Sequence, residues 1–443
     1  MKKRFIFIPL AILIVIAGVL IWACELRHPF GMGLSAELLK GGLGPYMSES
    51  GGPGYKGEID RRVTNSYIKQ TSTKVQVFPR QEGNNYYRIP TLIQLTNGDL
   101  LAFADRRIGT IGDLPNTIEV VYKRSKDNGK TWSAARLVSP KCTSKANSHG
   151  DAGFILDRKT GNIICVVAAG NGFLKSTPDD PIRIKIIKSK DNGETWSEPV
   201  DITPQIYGSA CKDTVRKNWH GVFAASGNGV QLRNGRMLFV LNVRETKAKE
   251  LFIRNYVMYS DDGGDTWNVS KNAPQSDKSG DEAKIVELND GTLLMAIRAK
   301  DIYQRRLAKS TDNGETWGEA VFRRDLPSSA SNGDIIYYTS TLNGWDTNRI
   351  ITMFDSRPYT QATPPGDPKL YYSYDEGKTW KGRLIHSGQA GYSSLAILND
   401  GSIGILAEIG GAWNGPIYFM RVNMKYITGG KDSGPFKVKV KQK

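Results

Sequence analysis

Cysteine is scarce in this chain, with four residues among 443. Cys24 belongs to the amino-terminal segment, which leaves Cys142, Cys165 and Cys211, an odd number with no Cys-x-x-Cys spacing. No disulfide framework and no zinc site is implied. Cys165 stands in the apolar run Ile163-Ile164-Cys165-Val166-Val167, where a buried, inert thiol is expected. Acidic residues are in deficit too: 44 Asp and Glu face 60 Lys and Arg, a formal charge of +16. The basic residues are scattered, with small clusters at Lys2-Lys3-Arg4 and at Lys437, Lys439 and Lys441. They form no stripe for nucleic acid, and an anionic substrate or surface suits them as well. Stretches that an amphipathic helix could claim are few, which argues against an all-helical bundle, and 39% hydrophobic content argues against disorder throughout. What is abundant is turn and strand material: 47 Gly, 19 Tyr and 9 Trp.

One long apolar run exists. Lys2, Lys3 and Arg4 precede an uncharged stretch from Phe5 to Cys24, the length of a secretory core or a short membrane span. An exported protein is expected, at the cell surface, in the periplasm or secreted, with membrane contact through this segment only. Ile21-Trp22-Ala23-Cys24 partly matches a lipoprotein cleavage site, although Trp22 is bulky for it, so lipoprotein signal and uncleaved anchor both stand. Residues 25–71 show no sustained period and carry Gly41-Gly42 and Gly51-Gly52-Pro53-Gly54, which reads as an irregular tether. Residues 72–430 then form the folded unit and 431–443 a basic tail.

The folded unit is repetitive. Ser-x-Asp-x-Gly-x-Thr-Trp occurs at Ser125 to Trp132, Ser189 to Trp196, Ser260 to Trp267, Ser310 to Trp317 and Ser373 to Trp380. The Ser and Asp side chains can bond the amides of a turn, Gly supplies a positive φ and Trp can pack between units. Each box lacks the row of oxygen ligands of a Ca²⁺ loop, so a structural role is expected. Apolar pairs joined by turn signals alternate with the boxes: Leu92 to Phe103, Phe154 to Val167, Val230 to Val240, Ile285 to Ile297, the less tidy pair Ile335 to Thr341 and Arg349 to Phe354, and Leu395 to Leu406. Six hairpins and five boxes predict an all-β, six-bladed propeller, its last sheet closed by Ile417 to Val422.

Tyr87-Arg88-Ile89-Pro90 opens the first hairpin, and with the boxes it makes residues 72 to 426 resemble the bacterial exo-α-sialidases (neuraminidases). The resemblance implies a metal-free and cofactor-free glycosidase acting on sialylated glycoproteins, glycolipids or oligosaccharides. It implies a carboxylate clamp of three arginines, of which Arg88 and Arg298 match, since planar guanidinium forks suit a carboxylate. The third is expected a few residues before the last box, but 361–369 contains no Arg; Arg357 is the preferred substitute and Lys369 the other. Asp113, on the loop after Asp105-Arg106-Arg107, matches the acid/base, and Arg107 can line the same pocket. Tyr392 in Gly391-Tyr392-Ser393 matches the nucleophile, with Glu282 as its base. A neutral phenol avoids the repulsion that a carboxylate would meet at an anomeric carbon already bearing one, and a tyrosine nucleophile is a recognised exception among glycosidases. Asp151 is expected to face sugar hydroxyls, and Ser226 or Asn228 to help shape specificity. His149 and His220 have no place in the matched set. Two other readings remain open: a relative acting on another nonulosonate such as Kdn or transferring the sugar, and a catalytically silent glycan-binding propeller.

Overall fold

The computed structural model describes residues 74–247, 252–277, 280–299, 303–329, 331–357, 365–411 and 415–435. The leader-like run, the 25–71 segment and the lysines from 437 onward lie outside these residues. Among the described residues no helix is long and apolar enough to cross a membrane.

Six sheets of four or five strands follow one another along the chain as the blades of a propeller. In the first blade, the inner strand Asn85–Gln94 pairs with Leu100–Ile108, which pairs with Ile118–Ser125 and then Arg136–Leu137. The Asn97-Gly98 turn works because Gly98 takes φ +91°. The inner strands of the second, fourth, fifth and sixth blades are His149–Leu156, Ala283–Glu287, Asp334–Thr339 and Ala390–Ile397. Strands are apolar on both faces because the core lies between blades. Leu92, Leu100 and Val121 of the first blade share one cluster with Ala396, Leu406 and Phe419 of the sixth. A single blade cannot bury both of its faces alone, so stability depends on the closed ring.

Two features depart from the pattern read in the sequence. The sixth blade ends not at Ile417–Val422 but at Val75–Phe78, which pairs with it in the register Val75 opposite Phe419. The two ends of the propeller are thereby zipped together. The third blade's inner strand is broken into Gly221–Ala224, Gly227–Asn228 and Val230–Gln231, and its middle piece pairs in parallel with the second blade. Gly227 permits this with φ +104°, and a Cβ there would lie 2.8 Å from Lys284 Cε. Asp432, in the segment read as a tail, accepts from Arg349 Nε at 2.7 Å and from Tyr374 at 2.7 Å.

All five boxes form the same turn. In the second, Ser189 Oγ bonds Asp191 Oδ1 at 2.9 Å and accepts from Gly193 N at 2.8 Å, while Thr195 N donates to Asp191 Oδ1 at 2.9 Å and Thr195 Oγ1 to Oδ2. Trp196 then packs edge-on against Phe103 and Phe154, bridging the first two blades. Burial pushes the carboxyls of Asp127, Asp191 and Asp262 up slightly, but the bonds from threonine and backbone outweigh it and hold each at about 2. A carboxyl depressed on folding adds stability above its unfolded value, and that stability is lost as pH falls through the folded value. Thermal melts should therefore drop between about pH 4 and 2, and Asp191→Ala should cost about 1–3 kcal/mol at neutral pH in urea denaturation. A variant as stable as the parent would remove the box from the account of stability.

Candidate active site

The first residues of the inner strands converge at one end of the ring, and the backbone is irregular there. The register slips by a bulge between Arg88 and Thr91, between Gly150 and Gly153, and between Ala390 and Ser393. Arg88, Asp151 and Tyr392 sit at these three bulges. A bulge re-aims a side chain out of the pleat, which is how strands that otherwise bury both faces can present polar groups at the ring's mouth. Ile89 and Asp151 also hold φ at +62° and +51°, left-handed values that a β-branched residue such as isoleucine seldom adopts. The proline of the Arg-Ile-Pro motif falls inside the first bulge, where its missing N–H breaks no ladder bond.

Tyr392 lies between two guanidinium groups. Arg88 is 5.1 Å and Arg298 6.0 Å from its ring centroid. Its hydroxyl donates to Glu282 Oε1 at 2.5 Å and accepts from Arg298 Nη1 at 3.0 Å. Arg298 also pairs with Glu282 Oε2 through Nη1, and its Nε lies 3.2 Å from Asp281 Oδ2. Burial pushes the Glu282 carboxyl up, but Arg298 and the phenol hydrogen bond outweigh it, and the group stays below its usual range. Burial and the Glu282 charge raise the Tyr392 phenol well above its usual value, against the pull of both arginines. The shared proton therefore rests on the phenol, beside an ionised base able to take it. Asp281 is pushed up by burial and by Glu282, against Arg298, to about 7.

Arg88 is held from behind by Glu408. Its Nε and Nη2 donate to the two Glu408 oxygens at 3.0 and 3.1 Å, and the same carboxylate accepts from Ile89 N at 3.0 Å and Tyr392 N at 3.1 Å. One carboxylate thus fixes the first arginine, its bulge and the backbone of the tyrosine. The sequence reading missed Glu408. The signal was there: it is the single charge in the strand Ile403–Ile409, whose other residues are buried and uncharged.

A second cluster surrounds Arg107. Its Nη2 pairs with Asp105 Oδ2 at 3.2 Å and its Nη1 with Asp113 Oδ1 at 2.7 Å. Asp105 Oδ1 accepts from Asp151 N at 3.1 Å, which links Asp151 to the same group. Arg107 is buried, whereas the Asp113 side chain is 75% exposed on its loop. Burial drives Asp105 up to about 6 against the pull of Arg107, and burial with the neighbouring Asp105 and Asp113 charges drives Asp151 well above the usual range. Asp151 is accordingly biased toward its protonated, hydrogen-bonding form.

The remaining expected residues have other partners. Arg357 makes a bidentate pair with Asp367 at 2.9 and 2.8 Å, and among the described residues no hydrogen bond or ion pair joins it to Arg88, Arg298 or Tyr392. Arg305 is a further guanidinium within electrostatic reach of Arg298 and Glu282, but it is buried, with Nη2 donating to Ser331 O at 2.7 Å. Ser226 is buried and accepts from Lys284 Nζ, and Asn228 lies deeper on the axis. His149 is buried and uncharged, its pKa lowered to about 4 by burial and by Lys185. Cys142, Cys165 and Cys211 are free and buried, and burial raises the Cys165 thiol well above its usual value. Among the described residues no group of three His, Cys, Asp or Glu side chains is placed to hold a metal ion.

Removal of Glu408 leaves the Arg88 charge buried and uncompensated. Glu408→Ala should destabilise the fold by about 3–5 kcal/mol in chemical denaturation. A loss within about 1 kcal/mol would show that Arg88 can reach solvent by itself.

Comparison with known proteins accords with this geometry. Residues 89–355 match the family described as BNR repeat-like domain. The chain is 32% identical over 365 residues to a sialidase of Micromonospora viridifaciens, which covers 79% of this chain and 53% of the relative. It is 29% identical over 343 residues to a sialidase of Bacteroides fragilis, covering 73% and 60% of the two. The chain thus spans between half and two thirds of the length of these curated relatives. Among solved structures, the Hadza microbial sialidase Hz136 superposes with a TM-score of 0.68 at 26% identity, over 80% of this chain and 69% of that one. The repeat, the six blades and a family match across more than half of its length agree, and the chain belongs to the bacterial-type sialidase family with the BNR repeat-like domain.

Proposed function

We propose that the protein is a retaining exo-α-sialidase that removes terminal sialic acid from glycoproteins, glycolipids or oligosaccharides. The observation that carries this reading is the Tyr392 hydroxyl held between Glu282 and Arg298, with Arg88 across the ring. The forks of Arg88 and Arg298 receive the sugar carboxylate, which sets the anomeric carbon beside the phenol oxygen. Tyr392 attacks that carbon as its proton passes to Glu282, while Asp113 gives a proton to the departing glycosidic oxygen. In the second half, water loses a proton to Asp113 and attacks the same carbon, and the phenolate leaves and recovers its proton from Glu282. Asp113 is held by Arg107 at 2.7 Å, so substrate entry has to loosen that contact before Asp113 can reach the glycosidic oxygen. Its exposed loop position permits the movement. Asp151 and Arg107 are set to bind sugar hydroxyls. In this reading the Phe5 to Cys24 run carries the enzyme out of the cytosol, where such glycans are found.

A second reading has one observation in its favour. Arg357 is paired with Asp367, and a clamp in which that pair holds back the third arginine suits a different nonulosonate or a transfer reaction. Incubation with sialyllactose and with a Kdn glycoside, followed by product identification, separates the two. Free N-acetylneuraminic acid as the main product supports hydrolysis of sialosides.

Turnover of a fluorogenic sialoside tests the mechanism. Tyr392→Phe should lower kcat by about 10²–10⁴, and Asp113→Ala should be most damaging with natural galactoside leaving groups that need a proton. Activity should also fall on the acid side as Glu282 becomes protonated. Unchanged turnover in Tyr392→Phe would remove the nucleophile from the proposal.

A further inference from the structure

The inner strands run on from this site toward the opposite face. About four to six residues beyond Arg88, ~13–20 Å at about 3.3 Å per residue, their ends surround a second cavity of about 930 Å³, its mouth to solvent included. The walls are largely apolar, formed by Leu92, Phe154, Ile155, Ile285, Ile335 and Ala396. A polar plug separates the cavity from the site above. Asn228 Nδ2 donates to Leu92 O, Ser394 Oγ and Leu395 O at 3.2 Å each and to Asp334 Oδ2 at 3.3 Å, and Leu395 N donates to Asp334 at 2.8 Å.

The charges around this cavity are already engaged. Arg233 pairs with Glu287 at 3.2 Å, Arg158 Nε donates to Gln231 at 3.2 Å, and Asp334 accepts from the Leu395 and Ile335 amides at 2.8 Å each. A charged guest would gain no partner for the loss of its hydration. Two acceptors stand apart. Gln94 is 1% exposed, and its Oε1, like Asn228 Oδ1, has no hydrogen-bond partner among the described residues although both side chains line the cavity. Buried carbonyl oxygens are ordinarily satisfied, so a guest that supplies a donor is favoured over one that does not.

We propose that this axial cavity is a binding site for a small uncharged amphiphile, an aryl or branched-alkyl alcohol or amide. Its apolar body lies against the walls and its O–H or N–H donates to Gln94 Oε1, with Asn228 Oδ1 as the second acceptor. The site is separate from the Tyr392 centre and does not depend on the sialidase reading. An anionic, hydroxyl-covered sugar would suit neither its walls nor its paired charges.

Titration of the full chain with 2-phenylethanol, its methyl ether, 2-phenylethylammonium and phenylacetate, by calorimetry or ligand-observed NMR, tests the proposal. The alcohol should bind saturably, about fivefold tighter than the ether, which lacks the donor, and the two ions should bind more weakly than either. Gln94→Met should remove most of the difference between alcohol and ether. Ala396→Leu, which fills part of the cavity, should weaken both, and it serves as the second variant if Gln94→Met does not fold. Turnover of the fluorogenic sialoside should be unaffected by the probe and by both folded variants. Absence of saturable binding, equal affinity for alcohol and ether, or competition of the alcohol with the sialoside would each overturn the proposal.

Discussion

The phenol of Tyr392, held between Arg88 and Arg298, is the contact on which the rest of the site depends. Two buried guanidiniums this close to one ring repel each other, and each is stable only because it has its own carboxylate: Glu408 behind Arg88, and Glu282 with Asp281 around Arg298. Burying ion pairs carries a large desolvation penalty, which is offset here only by multiple hydrogen bonds to each charge. The arrangement leaves cationic character facing outward for an anion while the negative partners stay at the back. It also divides the titration, with the phenol pushed up and Glu282 held down, so that at rest the proton stays on the phenol beside an ionised carboxylate.

The propeller separates stability from chemistry along its axis. The box turns, with their tryptophans wedged between blades, lie at one end of the strands. The bulges that aim Arg88, Asp151 and Tyr392 lie at the other. Since the core sits between blades and Val75–Phe78 zips the last sheet to the chain's beginning, the ring holds the mouth at a fixed diameter. Side chains from three blades can then meet to within hydrogen-bond distances. On the loop bearing Asp113 the carboxylate itself is exposed and held by the Arg107 ion pair, while Leu114 beside it is packed in the core.

Buried carboxylates are unusually many around the site, and their environments differ. Burial raises both Asp105 and Asp151; the Asp105 charge raises Asp151 further, while Arg107 and the Asp151 amide pull Asp105 down. Glu282 has direct bonds from Arg298 and the phenol and stays ionised. The same side-chain type thereby has its pKa held down at Glu282 and pushed up at Asp151, decided by the number of donors that reach each group.

The sequence by itself determined the repeat, and through it the architecture. Boxes and Asn-Gly or Asp-Gly turns are local signals, since the Ser, Asp and Thr hydrogen bonds that close a box turn fall within eight residues, and so six blades could be counted directly. Arg88, Glu282, Arg298 and Tyr392 could be singled out because short motifs surround them. Only the tertiary structure decided what depends on residues far apart in the chain. Glu408 is 320 residues from the arginine it holds, and although a lone charge in an apolar strand marks it as buried and paired, no local pattern says with which residue. Closure by Val75–Phe78, the break at Gly227 and the pairing of Arg357 with Asp367 likewise follow from which segments meet when the ring shuts. The physical reason is that hydrogen bonds within a turn are written in consecutive residues, whereas the balance of buried charge at the mouth is set by the assembled ring.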